Sequence, residues 1–102
     1  MGMRPSRNST LIGAFAATIK ARRLELNLTQ KDFAGRVELD RPYITLIEGG
    51  AKQPTISVLW RLATGLDLTV SELSSLVDTR LEQTRQLESE ASAPLAKRTK
   101  SK

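Results

Sequence analysis

The stretch TQKDFAGRVELDRPYITLIEGG, residues 29–50, decides the fold of this chain. Its first half has the pattern of a short helix from Gln30 to Val37, about two turns long. The hydroxyl of Thr29 can accept a hydrogen bond from a first-turn amide, and Asp32 stands at the reciprocal position of a capping box. The apolar edge of this helix consists of Phe33, Ala34 and Val37.

The second half of the stretch has the pattern of another short helix. Asp40 is a good N-cap, and Pro42 is tolerated in a first turn, where its missing amide costs nothing. Gly49-Gly50 ends the helix, and residues 38–39 make a tight turn before it. The inward-pointing residues are Ile44 and Ile47. In this geometry the second helix can lie in the major groove of DNA while the first crosses the backbone.

Three further helical patterns flank this pair. The first runs from Thr10 to near Asn27, where asparagine tolerates the left-handed conformation that closes helices. Thr55 caps a fourth helix, and Thr69 with Glu72 forms a capping box for a fifth. The first helix carries Phe15 and Ile19 on one face. The buried side of the fourth helix is predicted to contain Ile56, Leu59, Trp60, Ala63 and Leu66. The apolar stripe of the fifth helix is predicted to contain Leu73, Leu76, Val77 and Leu81. No run alternates with period two, so the sequence predicts an all-α fold of five helices.

The ends of the chain differ in composition from its middle. We expect residues 1–9 to form a flexible arm, residues 10–78 the folded domain, and residues 79–88 an extension of the fifth helix. The remaining residues, 89–102, combine serine, alanine, proline and a basic end, which predicts a disordered basic tail. Glycine and polar residues interrupt every apolar run, so we expect neither a leader peptide nor a membrane span, and a cytoplasmic protein.

Composition excludes several classes of function. The chain has neither cysteine nor histidine, which removes disulfides, thiolate metal sites and the commonest general base. We therefore expect no enzyme activity, no metal and no cofactor. The net charge of +5 is weak support for nucleic acid, because the segment from Leu11 to Asp78 has eight basic and eight acidic residues. The case for DNA has to rest on where charges fall on the fold.

Several linked motifs resemble the phage Cro and repressor type of helix-turn-helix, the xenobiotic-response-element (XRE) family of bacterial and phage regulators. The likeness covers roughly residues 11–78 and implies a five-helix, lambda-repressor-like DNA-binding domain. The segment Leu39-Asp40-Arg41-Pro42-Tyr43-Ile44 is also similar to the small controller proteins of restriction–modification systems. The matching pieces are Leu28-Thr29-Gln30, Phe33-Ala34, Ile44-Thr45-x-Ile47-Glu48-x-Gly50, Pro54-Thr55, Leu62-Ala63 and Val70-Ser71-Glu72-Leu73.

The resemblance implies a role for individual residues. Those that would contact base edges are Arg41, Pro42, Thr45 and Leu46, and those that would contact the DNA backbone are Thr29, Gln30, Tyr43 and Lys52. Arg23 and Glu48 match a structural ion pair of the family, which would tie the first helix to the end of the third.

Elementary chemistry supports these roles unevenly. The fork of Arg41 matches the two acceptors of guanine, a contact that discriminates between bases by ~1–3 kcal/mol. Pro42 has no donor and Leu46 is apolar, so they can touch only a thymine methyl or a sugar, which raises the expected share of shape readout. The amino ends of the second and third helices offer free amides to phosphates. Other interpretations stay open for four residues, in which Arg41 is a solvated surface arginine, Gln30 a plain helix former, Tyr43 a packing residue and Thr45 a spectator.

The leading hypothesis is therefore a transcriptional regulator that binds a palindromic operator as a homodimer, with recognition helices ~34–36 Å apart. The predicted dimer contacts are Trp60, Leu73, Leu76, Val77 and Leu81, because a monomer would leave the fifth-helix stripe uncovered. Trp60 is either a core residue or a dimer contact. The rival hypothesis is a protein–protein adaptor or antitoxin, with a toxin or other protein as its partner, that uses the same fold with little direct DNA readout.

Overall fold

Five α-helices and no strands make up the part of the chain that the computed structural model describes, residues 8–92. The predicted all-α, five-helix fold is confirmed for this range. Residues 1–7 and 93–102, most of the predicted arm and tail, lie outside the described residues. The helices are α1 (Ser9–Glu25), α2 (Gln30–Val37), α3 (Arg41–Glu48), α4 (Ile56–Gly65) and α5 (Val70–Ser92).

Hydroxyl and amide side chains fix where most of these helices begin. Thr29 accepts from the Asp32 amide at 3.0 Å while the Asp32 carboxylate accepts from the Thr29 amide, so the predicted capping box is present. Thr69 and Glu72 form the same arrangement at the start of α5. Thr55 caps α4 through the Val58 amide, as predicted.

The backbone amide of Thr29 lowers the pKa of the Asp32 carboxyl below its ordinary value of 3.8. A carboxyl whose pKa is depressed on folding stabilises the fold above that ordinary value, and this contribution is lost as the pH falls through the lowered pKa. The capping box of α2 is thus intact at neutral pH and weakens only in acid.

The expected cap at Asp40 is wrong in one respect. Asp40 occupies the N-cap position of α3, but its side chain makes no capping hydrogen bond. A cap side chain accepts from the second or third amide of its helix. The second helical residue is Pro42, which has no N–H, and the amides of Tyr43 and Ile44 both donate to the Asp40 carbonyl. No first-turn amide beyond Arg41 is left for the carboxylate.

Three helices end in the same way, each with a non-glycine residue in the left-handed conformation. Asn27, Glu38 and Asp67 have φ of 60°, 58° and 58°, so the expectation for Asn27 is confirmed. The residue after each of them is a leucine whose amide reaches back five residues to a helical carbonyl, which satisfies acceptors that the helix end leaves open. These bonds run from Leu28 to Arg23, from Leu39 to Ala34 and from Leu68 to Ala63. The tight turn between α2 and α3 is one of these endings.

The core lies where all five helices meet, with α1 packed along α5 and with α2 packed on α3 and α4. Its largest fully buried side chains are Phe33, Ile19, Ile44, Ile47, Leu62, Leu66, Leu73 and Val37. Two expectations about apolar residues are wrong. Leu73 and Val77 were expected on an uncovered stripe but are buried inside the single chain, and Leu81 packs partly against the same core, because α5 lies against α1. On α4, Ile56 and Trp60 were expected on the buried side but are 71% and 54% exposed.

The fifth helix is longer than predicted. It continues to Ser92, so residues 89–92, expected to be disordered, are helical. The first helix begins at Ser9 with Asn8 as its N-cap, inside the predicted arm. Among the described residues, no helix is both long and apolar enough to cross a membrane.

Gly65 permits the close crossing of α2 and α4, and its replacement by alanine is expected to destabilise the protein by about 1–3 kcal/mol through overpacking. An added Cβ would overlap the Cγ1 of Val37 and stand 3.3 Å from the Phe33 ring. Val37 is buried and β-branched, so it has little room to turn away. Urea unfolding measures the loss. The matched control is Gly35→Ala in α2, where an added Cβ meets nothing within 4 Å. That change should stabilise the helix, and a loss at both positions would contradict the packing explanation.

Candidate nucleic-acid interface

Helix α3 presents one short face to solvent. Ile44 and Ile47 anchor its inner side in the core, and the 100° step between helical residues places Pro42, Thr45 and Leu46 on the opposite side. All three are exposed. Arg41 is the first residue of the helix and is also exposed, one turn before Thr45 on the same edge. The structure therefore brings together, on one outer surface, the four residues predicted to contact bases.

A buried ion pair holds α3 against α1. The guanidinium of Arg23 donates to both carboxylate oxygens of Glu48, from Nε at 2.6 Å and from Nη2 at 2.9 Å. The two side chains are only 8% and 3% exposed. Arg23 also donates to the carbonyl of Leu28, in the turn before α2. The predicted pairing of Arg23 with Glu48 is confirmed, and one guanidinium links α1, the α1–α2 turn and the end of α3.

Gln30 connects this pair to the exposed face of α3. Its Nε2 donates to Glu48 Oε1 at 3.1 Å, and its Oε1 accepts from the hydroxyl of Thr45 at 2.8 Å. Gln30 was expected to contact phosphate or to be a plain helix former, and neither description includes this bridge between α2 and α3. Sequence alone gave no signal for it, because the partners lie 15 and 18 residues away.

A second contact joins α3 to the loop that follows it. The ammonium of Lys52 lies 5.7 Å from the centre of the Tyr43 ring, a distance at which a cation is attracted to the ring face. Tyr43 packs partly against the core, and Lys52 is exposed. The two residues predicted to touch the DNA backbone on this side therefore contact each other.

The starts of α2 and α3 differ in the amides they leave open. Among the described residues, the backbone N–H groups of Gln30 and Lys31 have no acceptor. In α3 only the Arg41 amide is open. Both helix starts therefore have open amides, as expected, with two at α2 and one at α3. Thr29, predicted to contact the DNA backbone, uses its hydroxyl as the α2 cap.

Several basic side chains that a charge count treats alike have structural partners. Arg22, Arg36 and Arg61 each donate to carbonyls at a helix end, respectively Leu66, Gly65 and the Val37–Glu38 pair. Such donors satisfy acceptors at the negative end of a helix.

By contrast, four basic side chains have no hydrogen-bond, ion-pair or aromatic-ring partner within residues 8–92: Lys20, Lys31, Arg41 and Arg80. Two of these four, Lys31 and Arg41, stand in the first turns of α2 and α3. Sequence reasoning did not single out Lys31, although its place in the first turn of α2, beside Gln30, was a usable signal.

A short capped helix, a left-handed turn and a second helix held with its outer face in solvent define a helix-turn-helix protein. The chain belongs to the helix-turn-helix family, whose sequence model matches residues 19–73. It is an all-α, DNA-binding regulator of the XRE type, as the resemblance implied.

Similar proteins include the control protein C.MunI of a Mycoplasma species, 36% identical over 59 residues that cover 58% of this chain and 80% of the relative. The wild-type restriction-modification controller protein C.Esp1396I is 30% identical, with a TM-score of 0.70 over 74% of this chain and 99% of that one. That relative has also been solved as a tetramer in complex with its natural 35 base-pair operator. The clp gene regulator ClgR of Corynebacterium glutamicum, 18% identical with a TM-score of 0.76, covers 85% of this chain and 90% of its own and shares the fold.

Proposed function

We propose that this protein is a sequence-specific transcriptional regulator that places α3 in the major groove of double-stranded DNA. The observation that carries the proposal is the guanidinium of Arg41, which has no partner among the described residues and stands at the outer start of a helix that a buried ion pair fixes to the core. Arg41 reads guanine, Thr45 contacts a neighbouring base, and Pro42 and Leu46 contact a thymine methyl or a sugar. Its relatives are named control and controller proteins, which supports a regulatory role, and we propose that it acts in the bacterial cytoplasm.

The backbone contacts come from both edges of this face. The open amides of Gln30 and Lys31 lie at the positive end of α2, a ready position for a phosphate. The ammonium of Lys31 adds charge there, and Thr29 stands at the same helix end. Lys52, held over the Tyr43 ring, contacts a phosphate on the other side of α3, with the Tyr43 hydroxyl at the boundary between the protein and the DNA backbone. These contacts position the helix, and the outer face of α3 selects the sequence.

The operator is a palindrome bound by a homodimer. The side chains that support a dimer are the exposed apolar pair Ile56 and Trp60, which stand four residues apart on α4 and so share a face. Leu73 and Val77, which were expected in the interface, are buried in the core of the single chain. Leu76 is exposed, but it lines a groove between α1 and α5 together with Thr18 and Ala21 and not the α4 surface. We therefore assign the dimer contact to Ile56 and Trp60, with α4 of one protomer packed against its two-fold copy.

Selection of bound duplexes from a random pool tests the proposal directly. We expect a palindromic consensus whose half-sites lie about one helical turn apart, since two α3 helices of a symmetric dimer enter successive major grooves. Affinity for the selected duplex should fall steeply with salt, with a log–log slope of about −0.9 for each phosphate neutralised. Absence of duplex binding at low salt would overturn the proposal and favour the adaptor or antitoxin. A non-palindromic consensus would contradict the dimer alone.

Replacement of Trp60 by alanine is expected to weaken the dimer about 30-fold, the effect typical of a tryptophan at the centre of an interface. The protomer should stay folded, because the side chain is half exposed in the single chain. Sedimentation equilibrium measures the dimer constant, and circular dichroism checks the fold. Leu24→Ala is the matched control, because Leu24 on α1 is as exposed as Trp60. Equal weakening by both variants would contradict the assignment of the interface to α4.

A further inference from the structure

A directional chain of hydrogen bonds starts at the buried ion pair and ends on the outer face of α3. A guanidinium has donors only, and it binds both carboxylate oxygens of Glu48. Glu48 therefore enters every further hydrogen bond as an acceptor. Glu48 Oε1 lies 3.1 Å from one end of the Gln30 amide, and that end must be the NH₂ group.

The orientation of Gln30 follows from this contact. An amide that turns its nitrogen towards Glu48 turns its oxygen the other way, and Gln30 Oε1 lies 2.8 Å from the hydroxyl of Thr45. The partner chemistry thus settles which amide atom is oxygen. Since a carbonyl oxygen only accepts, Thr45 has to donate its single hydroxyl proton.

Among residues 8–92, the hydroxyl of Thr45 has one further partner for that proton. Besides Gln30 Oε1, it lies 3.3 Å from the carbonyl oxygen of Arg41, which is also an acceptor. Whichever oxygen receives it, the proton stays within the protein. Thr45 is exposed, so what it shows to solvent is its methyl group and the remaining lone pair of Oγ1.

We infer that Thr45 contacts DNA as a hydrogen-bond acceptor and selects a base that carries an exocyclic amine in the major groove. A threonine free to rotate contacts donors and acceptors alike, whereas only adenine N6 and cytosine N4 offer the donor that this Oγ1 requires. Glu48 and Gln30 are positioning residues: Glu48 orients the Gln30 amide, and the Gln30 oxygen holds the hydroxyl proton of Thr45 on the protein side. The inference rests on the proposed function and specifies the chemistry of one base position.

Base analogues in the selected duplex test the inference. The position read by Thr45 is the one whose preference disappears in Thr45→Val, which keeps the shape and removes the hydroxyl. If that base is adenine, 2-aminopurine keeps the pairing with thymine but has no amine in the major groove. We expect it to weaken wild-type binding roughly threefold to tenfold, the range of one neutral hydrogen bond. It should leave Thr45→Val binding unchanged. For cytosine, 2-pyrimidinone has the corresponding role.

The control analogue removes an acceptor from the base. 7-Deazaadenine, or 7-deazaguanine opposite cytosine, lacks N7 but leaves the amine, and it should weaken wild-type and Thr45→Val binding equally. One result would show instead that Thr45 donates and would overturn the inference. In that result the 7-deaza base weakens binding of the wild type but not of Thr45→Val, and the amine-free base weakens neither. An unaltered base preference in Thr45→Val would overturn it too. Failure to select any duplex would overturn the proposed function and this inference together.

Gln30→Leu tests the positioning role. Without the amide oxygen, the acceptor left for the Thr45 hydroxyl among the described residues is the Arg41 carbonyl, at the longer distance of 3.3 Å. N7 or a carbonyl of the base can compete better with this longer bond, so the penalty for the amine-free base should shrink. A role confined to stability would lower the affinity for all duplexes and leave that penalty as it is in the wild type. This ratio of affinities separates the two roles, and an unchanged ratio would contradict the assignment of Gln30.

Discussion

Glu48→Ala is expected to lower the free energy of unfolding by about 3–5 kcal/mol, the largest effect of any single substitution considered for this chain. The change leaves the guanidinium of Arg23 buried without its carboxylate, and most of the loss is the cost of that uncompensated charge. A domain of this size has a total stability of about 5–15 kcal/mol, so the variant should remain measurable at low temperature. Urea unfolding followed by circular dichroism gives the difference.

The matched control for this experiment is Glu25→Ala. Glu25 also pairs with an arginine, Arg22, but it is exposed, and exposed pairs contribute about 0–1 kcal/mol. If both variants lost the same small amount of stability, the prediction that the buried pair of Arg23 with Glu48 matters more to stability than an exposed pair would be contradicted. Glu48→Gln keeps the shape and removes the charge, and its stability should lie between those of the wild type and Glu48→Ala.

Arg41→Ala is expected to weaken binding to the selected operator by about 1–3 kcal/mol, or roughly fivefold to 150-fold, because it would remove the proposed bidentate contact to guanine. Binding to random duplex should change much less, since this part of the affinity comes from phosphates. Stability should be unaffected, because the side chain is exposed and has no partner among the described residues. Titration of specific and random duplexes at the same salt concentration measures both terms.

Lys52→Ala gives the contrasting result. If Lys52 contacts a phosphate, its removal should weaken binding to all sequences to a similar degree and reduce the salt slope by about 1. The two variants therefore separate reading from positioning on the same surface. An equal loss on specific and random duplexes for Arg41→Ala would place that guanidinium on a phosphate and remove the main base contact from the proposal.

Local signals in the sequence predicted the helices well. Thr29, Thr55 and Thr69 were recognised as caps because each side chain acts within three residues of itself. Asn27 was recognised as a helix end for the same reason. Asp40 shows the limit of such reasoning, since the proline two residues later removes the amide that its carboxylate needed.

Features that depend on the approach of distant segments were not predictable. The bridge from Gln30 to Thr45 and Glu48 exists only because α2 and α3 meet at a particular angle. The burial of Leu73 and Val77 depends on α5 lying along α1, which periodicity alone does not reveal. The site residues themselves came from the resemblance, and the structure adds how they are linked to one another.

The tie between α1 and α3 also has a consequence for how this protein can be controlled. A small effector that tilted α3 would have to separate Arg23 from Glu48, and it could do so only through its own preference for the tilted state. A recognition helix held this rigidly is poorly suited to control by a small ligand and is better suited to control by the concentration of the protein. In the proposed dimer, the population of the DNA-binding form rises with the square of the protomer concentration while protomers predominate. In that proposal, occupancy of the operator would depend on how many copies of the chain have accumulated.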